Sequence, residues 1–415
     1  MVDPTVLAQL RSPAQIRTRC RRVLAGVAAG DSSSFTVDAG RLDAAADQIA
    51  AVTRKRYPDL AVPYHSRWRH FEAGGHDRHL PLRRQLLDEL GDRRAAARAL
   101  IDLAVVSVLL DAGAGARWRY REEDTGTELG RSEGLALASL AGFRAGAFSS
   151  DPRQPLRVDA AALQRLAQAD LARIFQASED NPLVGIAGRT RLMNALGRAL
   201  ADNPQYFGAD GRPGGLLDSL APDTAGTGGG TVAIAAQAIL EAVLLGLSVI
   251  WPSGQTLDGA NLGDCWRHRL ATPASYDGID AGWVPFHKLS QWLTYSLLEP
   301  FAWAGIAVTD LEQLTGLPEY RNGGLFLDMR VLLLKNPSAA LASHPVGSEL
   351  VVEWRALTVA LIDEIADRVR LRLPAASLPL AAILEGGTWA AGRELAFARR
   401  GGEPPLSIIS DGTVF

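Results

Sequence analysis

Cysteine is scarce in this chain. Cys20 and Cys265 are the only two, too few for a disulfide framework, so a reducing compartment is the natural setting. An excess of either charge is missing as well: the formal net charge is -3, which offers no electrostatic case for a nucleic-acid or membrane partner. Arginine clusters locally at Arg17 to Arg22 and at Arg83-Arg84, runs that read as solvated helix faces. A long unbroken apolar stretch is also absent. The most apolar segment, Thr231 to Trp251, is interrupted by Gln237, Glu241 and Gly246, so it reads as a core helix and not a membrane span. Met1-Val-Asp-Pro has neither the basic start nor the apolar run of a signal peptide. The expected location is the cytoplasm. Alternating strand-type runs are few and short, Ser34-Phe-Thr-Val and Leu406-Ser-Ile-Ile being the best, and no internal repeat or heptad stands out.

What is present is alanine and leucine at helical spacing. With 415 residues, 47% hydrophobic and 21% charged, the chain can bury a sizeable core in one large domain or two closely packed ones. Arg94 to Leu110 sets Ala97, Leu100, Ile101, Ala104, Val105 and Val108 on one broad apolar face. Leu156 to Phe175, Thr190 to Leu200, Val232 to Val249 and Leu350 to Leu371 repeat the pattern. The fold expected is mostly α with few short strands. Loops fall where Gly, Pro, Asp and Ser gather, at Ser149-Ser-Asp-Pro and at Gly208 to Gly215. Asp223 to Gly230 (DTAGTGGG) reads either as a surface loop or as a phosphate cradle, and it lacks the Gly-Lys-Ser/Thr ending of a P-loop. Asn336 to Gly347 is a second connector. It divides the expected organisation into a helical domain over 1–335 and a C-terminal helical subdomain over 336–415 packed on it.

Chemistry concentrates between Phe286 and Arg321. In one helix Leu289, Trp292, Leu293 and Leu297 form an apolar stripe, and Lys288, Gln291, Tyr295 and Glu299 an opposing polar one. That polar stripe faces either water or a cavity, and its low charge and its tyrosine suit a cavity wall. Further on, Thr309 with Glu312 spells a capping box, Gly316 a helix stop and Pro318 the first turn of a new helix. The reading is a short helix, a tight hairpin and a second helix that carries Glu319 in its first turn. There the helix dipole and unpaired N–H groups favour an ionised carboxylate. A fixed carboxylate can stabilise an oxocarbenium ion in glycosidic cleavage, or it can simply support its own helix.

Phe286-His-Lys-Leu-Ser-Gln291 and Leu314-Thr-Gly-Leu-Pro-Glu-Tyr-Arg321 resemble motifs of the queuosine salvage proteins, which are nucleoside 5′-phosphate N-glycosylases. That family carries Phe-Tyr-Lys-Arg-Ala-Gln and Leu-Thr-x-Phe-Ala-Asp-Tyr-Arg. Ala99 to Asp111, Leu171 to Phe175 and Pro182 to Arg191 extend the likeness to about two thirds of the chain. A fuller resemblance is to the uracil-catabolism proteins of bacteria and fungi. It is carried by His65-Ser-Arg-Trp-Arg-His-Phe-Glu-Ala-Gly-Gly75, Gly263-Asp-Cys-Trp-Arg-His268, Glu385-Gly-Gly-Thr-Trp389 and Ser410-Asp-Gly-Thr-Val-Phe415.

Together the two likenesses imply hydrolysis of a ribosyl–nitrogen bond in a ring-opened pyrimidine nucleoside or nucleotide, such as ribosylurea or its 5′-phosphate. They also imply a helix-hairpin-helix, DNA-glycosylase-like helical enzyme, since the salvage family resembles those glycosylases. By motif, Glu319 stands where that family has its Asp and becomes the oxocarbenium stabiliser or nucleophile. Lys288 is a phosphate donor or a partner that tunes Glu319, and His287 replaces a Tyr. Asp264 and Asp258 compete for the second carboxylate, with Asp264 preferred because Trp266 beside it can stack on a base or urea group. His65, Arg67 and Trp68 are candidate phosphate or sugar contacts, or parts of a core-anchored loop. Tyr320, Arg321 and Trp389 complete the candidate binding set, with Arg321 favoured as structural; the tail Asp411-Gly-Thr is a further candidate.

The substrate expected is a free small nucleoside or nucleotide, with no cofactor and no metal. Three other readings stand, one of them a nucleic-acid glycosylase, which the helix-hairpin segment suits and the lack of a basic stripe argues against. A zinc amidohydrolase of the same pathway would draw ligands from Cys265, His268 and His287, or from His65, His70, His76 and His79, although neither set matches a known zinc signature. A non-catalytic helical binding protein would not depend on Glu319.

Overall fold

The computed structural model describes residues 3–222, 232–251, 255–374 and 378–409. The Asp223 to Gly230 stretch and the tail from Ser410 to Phe415 therefore lie outside the described residues. Helix accounts for 57% and strand for 8%, so the chain is mostly α. Among the described residues, no helix is long and apolar enough to cross a membrane. The chain divides into two compact units that alternate along the sequence. Of the described residues, the first takes 3–65, 255–291, 311–374 and 378–409, the second 66–222, 232–251 and 292–310. Residues on both sides of position 336 belong to the first unit.

The first unit is organised on the helix Glu349–Arg372, which buries Val352, Trp354, Leu357, Leu361, Ile362, Ile365 and Val369. It packs against the helices Pro13–Ala28 and Leu42–Arg56. Local signals set their ends: Ser12 caps the first by accepting the Gln15 N–H, with Pro13 opening it. Arg54, Lys55 and Arg56 close the second, where cations offset the dipole. The helices Tyr320–Asp328 and Trp389–Arg400 cross so closely that a Cβ on Gly392 would meet the Arg321 carbonyl oxygen at 2.1 Å. Trp354 bridges the long helix to this pair, donating through Nε1 to the Gly323 carbonyl at 3.1 Å. Short strand pairs finish the unit: Phe35–Val37 antiparallel to Leu332–Leu334, Cys265–Arg267 antiparallel to Trp283–Pro285, and Ser343–Pro345 parallel to Ser407–Ile409.

In the second unit the helix Arg93–Leu109 is buried over almost its whole length. It lies among His79–Leu90, Arg131–Arg144 and Ile186–Asp202. Asp102 is fully buried in it and is satisfied by the N–H groups of Val158 and Gly214 and by Arg212. A parallel pair joins Ala233–Ala235 to Ala307–Thr309.

Most helices follow the periodicity, and both weak strand signals are realised, as Phe35–Val37 and Ser407–Ile409. Three expectations change. Val232 to Val249 opens as the strand Ala233–Ala235 and is helical only over Ala236–Gly246. Leu156 to Phe175 forms two short helices, Ala160–Arg165 and Gln168–Ile174, because Asp159 caps the first and Leu166-Ala167 leave helical geometry between them. The capping box at Thr309 is not made. Thr309 lies in a strand with its hydroxyl donating to the Asp310 carboxylate at 2.9 Å, and Leu311–Gln313 is a single 3₁₀ turn.

Candidate active site around Glu319 and Lys288

Glu319 is not in the first turn of its helix but caps it. Pro318 cannot donate an N–H, and Glu319 itself is extended at φ -112° and ψ 164°. Its carboxylate folds back on the helix N-terminus: Oε2 accepts the Arg321 N–H at 2.9 Å and Oε1 the Asn322 N–H at 2.5 Å. Asn322 fixes the cap from behind by donating Nδ2 to the Leu317 carbonyl at 3.0 Å and accepting the Thr388 hydroxyl at 2.9 Å. Although part of Glu319 reaches the surface, the protein encloses its carboxyl. Burial pushes that carboxyl above the ordinary glutamate value, against the pull of the two N–H groups and of the charges on Lys288 and His65. The ionised carboxylate expected from helix position alone thus meets a desolvation cost larger than the capping gain.

Lys288 opens the helix Lys288–Trp303 and is half-buried. Asp264 holds it there: the Asp264 carbonyl accepts the N–H groups of Phe286 and His287, and its carboxylate accepts that of Lys288 at 3.0 Å. Arg355 grips the same carboxylate with two bonds of 2.8 and 2.7 Å, and Trp266 Nε1 adds a third donor at 2.7 Å. Burial by itself would raise the Asp264 carboxyl, but the Arg355 charge and its hydrogen bonds, with the Lys288 N–H and Trp266, together hold it well below the usual carboxylate range. Asp264, expected as a second catalytic carboxylate, is a fixed anion committed to its neighbours. Asp258 stands exposed in a turn between two short strands. Trp266 is 8% exposed and covers Gly347, where a Cβ would lie 2.6 Å from its ring. It is a packing residue, not an open stacking face.

His287 adopts a left-handed φ of 46°, and its Nε2 donates to the Leu10 carbonyl at 2.9 Å. Burial lowers its pKa against the opposing pull of that bond and of the Asp264 charge. One turn on, Gln291 is fully buried and donates to the Thr315 hydroxyl at 2.9 Å. This bond ties the start of the Lys288 helix to the Leu314-Thr315 segment that leads into Glu319. The stripe through Gln291 and Tyr295 faces the interior, both residues being 0% exposed.

The third arm of the site is His65 with the segment Leu384–Thr388, a π-helical turn between helical stretches. Glu385 in that turn is buried and bonds His65 Nδ1 through Oε2 at 2.7 Å. Arg56 holds the turn by donating to the Glu385 carbonyl at 2.9 Å and to Oε1 at 3.3 Å. Gly386 and Gly387 are required here because a Cβ would lie 2.8 Å from Val62 and 2.6 Å from Ile49. Trp389 follows directly, half-buried, with its ring 5.5 Å from that of His65. Glu385 was missing from the sequence-based candidates. The Glu-Gly-Gly stretch inside a helical apolar run was its signal.

The other candidates are placed as follows. Arg321 is buried and donates Nη1 to the Gly402 carbonyl at 2.8 Å, an anchoring contact; its guanidinium lies over the exposed Tyr320 ring. Arg67 and Trp68 belong to the second unit and are both 0% exposed. Arg67 is bound to Ser107, Asp111 and the Ser132 carbonyl, and Trp68 Nε1 to the Ser296 carbonyl. They are core anchors in that unit, so a role as substrate contacts does not fit their burial. Among the described residues, no three His, Cys, Asp or Glu side chains gather so as to hold a metal ion.

Comparison with known proteins gives a full-length match. The chain is 39% identical over 417 residues to "Protein urg3" of Schizosaccharomyces pombe, covering 99% of each chain. It is 38% identical over 412 residues to "Uracil catabolism protein 4" of Lachancea kluyveri, covering 93% of each. Residues 9–415 match the family described as protein of unknown function (DUF1688), and the chain belongs to that family.

Proposed function

We propose that this chain is a hydrolase acting in uracil catabolism that cleaves the ribosyl–nitrogen bond of a ring-opened pyrimidine nucleoside or nucleotide such as ribosylurea. The name of the Lachancea kluyveri relative supports the pathway. The observation that carries the chemistry is Glu319: an enclosed carboxylate, fixed by two backbone N–H groups and acted on by the charges of Lys288 and His65. Departure of the nitrogen leaves positive charge on the anomeric carbon and ring oxygen, and a preorganised carboxylate stabilises that charge without reorganising. Lys288 keeps Glu319 ionised or meets a 5′-phosphate. Asp264 and Arg355 position Lys288, and the half-buried Trp389 offers a flat face to the substrate. In this reading the turn Leu311–Gln313 and the capped helix Tyr320–Asp328 serve as the hairpin and second helix of a helix-hairpin-helix glycosylase.

The test is incubation of the purified chain with ribosylurea and with its 5′-phosphate, measuring urea and free sugar. Urea should appear from one of them, and Glu319→Gln should lower the rate by about 10²–10³-fold or more. No urea from either compound, or an undiminished rate in Glu319→Gln, refutes the proposal.

A further inference from the structure

A ureido nitrogen is a poor leaving group as an anion, so cleavage of its bond to ribose needs a proton delivered as the bond breaks. Resting on the reading above, the geometry points to His65 as that proton donor, with Glu385 as the residue that orients it. A carboxylate only accepts, so the 2.7 Å contact puts a proton on His65 Nδ1 and leaves Nε2 as the nitrogen that exchanges protons. Nε2 has no hydrogen-bond partner among the described residues, and it is not among the buried atoms sealed without one. The ring is otherwise fixed: His65 is 5% exposed, its backbone N–H is held by the Ala381 carbonyl, and Trp389 flanks it. It lies near enough to Glu319 for their charges to interact. Glu385 is fixed in turn by Arg56, and it sits on a π-helical turn, an irregularity often retained at functional sites.

In the step itself, the C1′–N bond breaks with its electron pair moving to nitrogen, which takes the proton from Nε2 of the His65 imidazolium. Glu319 faces the resulting cation. Water then enters where the leaving group stood, adds its oxygen to C1′ and returns one proton to Nε2, restoring the starting state. The net change is one water consumed, with no oxidation or reduction.

The experiment compares ribosylurea, in the phosphorylation state the wild type accepts, with the matching ribosyl 4-nitrophenolate, whose leaving group departs without protonation. His65→Gln should lose about 10²–10⁴-fold in kcat on the urea substrate and under about tenfold on the nitrophenolate, whereas Glu319→Gln should lose on both. Glu385→Gln, which still accepts from Nδ1 but lacks the charge, should show the same substrate split in kcat with little change in KM. Equal losses on both substrates for His65→Gln overturn the proton-donor role, and an unchanged kcat in Glu385→Gln overturns its positioning role. Thermal unfolding confirms that each variant folds; should His65→Gln not fold, His65→Asn takes its place. If the wild type cleaves neither substrate, the glycosidase reading itself falls and this assignment falls with it.

Discussion

Gly392→Ala probes how tightly the fold holds the Glu319 carboxylate. The added methyl would stand 2.1 Å from the Arg321 carbonyl oxygen and 2.8 Å from its carbon. An ordinary carbon–oxygen contact is about 3.3 Å, so the two helices must part by about 1.2 Å. Overpacking of this kind costs about 1–3 kcal/mol. Alanine's better helix preference offsets at most about 1 kcal/mol of that. Scanning fluorimetry should show a melting midpoint lowered by several degrees, on the scale of about 2–4 °C per kcal/mol. The displaced helix is the one Glu319 caps, and Arg321 lies only two residues from it. A misplacement of about 1 Å at a reacting centre costs on the order of 100-fold in rate, so urea release should fall with the midpoint. Gly401→Ala is the control: its φ is +59° with nothing within 4 Å of the new Cβ. It should cost about 1–2 kcal/mol of stability without changing the rate. An unchanged midpoint in Gly392→Ala would refute the packing argument. A lowered midpoint with an unchanged rate would refute the link between this crossing and the carboxylate.

Three further outcomes follow from the site's electrostatics. In Lys288→Met, burial of Glu319 loses an opposing charge, so the acid limb of the rate profile, already above that of an ordinary glutamate, should move to still higher pH; a limb that stays in place refutes the coupling. Because the folded Glu319 carboxyl titrates above its unfolded value of about 4.3, the stability it contributes is present below about pH 4 and lost as pH rises through the folded value. Glu319→Gln should therefore gain on the wild type in denaturant midpoint between pH 4 and pH 8 while losing activity, and a gain that shrinks over that range would be the contrary result. Asp264→Asn takes the charged carboxylate and its two-bond grip away from the Arg355 guanidinium, whose side chain is 1% exposed, and should cost about 3–5 kcal/mol in denaturant unfolding; a loss under about 1 kcal/mol would show that the pair is not a structural anchor.

What could be read from the sequence follows the range of the interactions involved. Helix positions are local, set by apolar spacing and caps, and so Arg94 to Leu110 and Leu350 to Leu371 were legible to within a residue or so. Lys288, Gln291 and Glu319 were legible as members of two motifs, but the long-range bond that joins the two segments, Gln291 to Thr315, is not revealed by spacing alone. Burial is still less local. Arg67 and Trp68 are residue types that often meet phosphates and sugars, and only their partners Ser107, Asp111 and Ser296 show them as anchors of the second unit's core. The same limit affected Glu319, where helix position argued for easy ionisation and the surrounding protein raises its cost. That cost bears on the proposed function: a carboxylate poorly solvated by its surroundings gains most when positive charge develops beside it. The residues that make Glu319 expensive to ionise are therefore those that would strengthen its hold on an oxocarbenium ion, and the opposing changes expected in Glu319→Gln, stability up and activity down, measure both sides of that exchange.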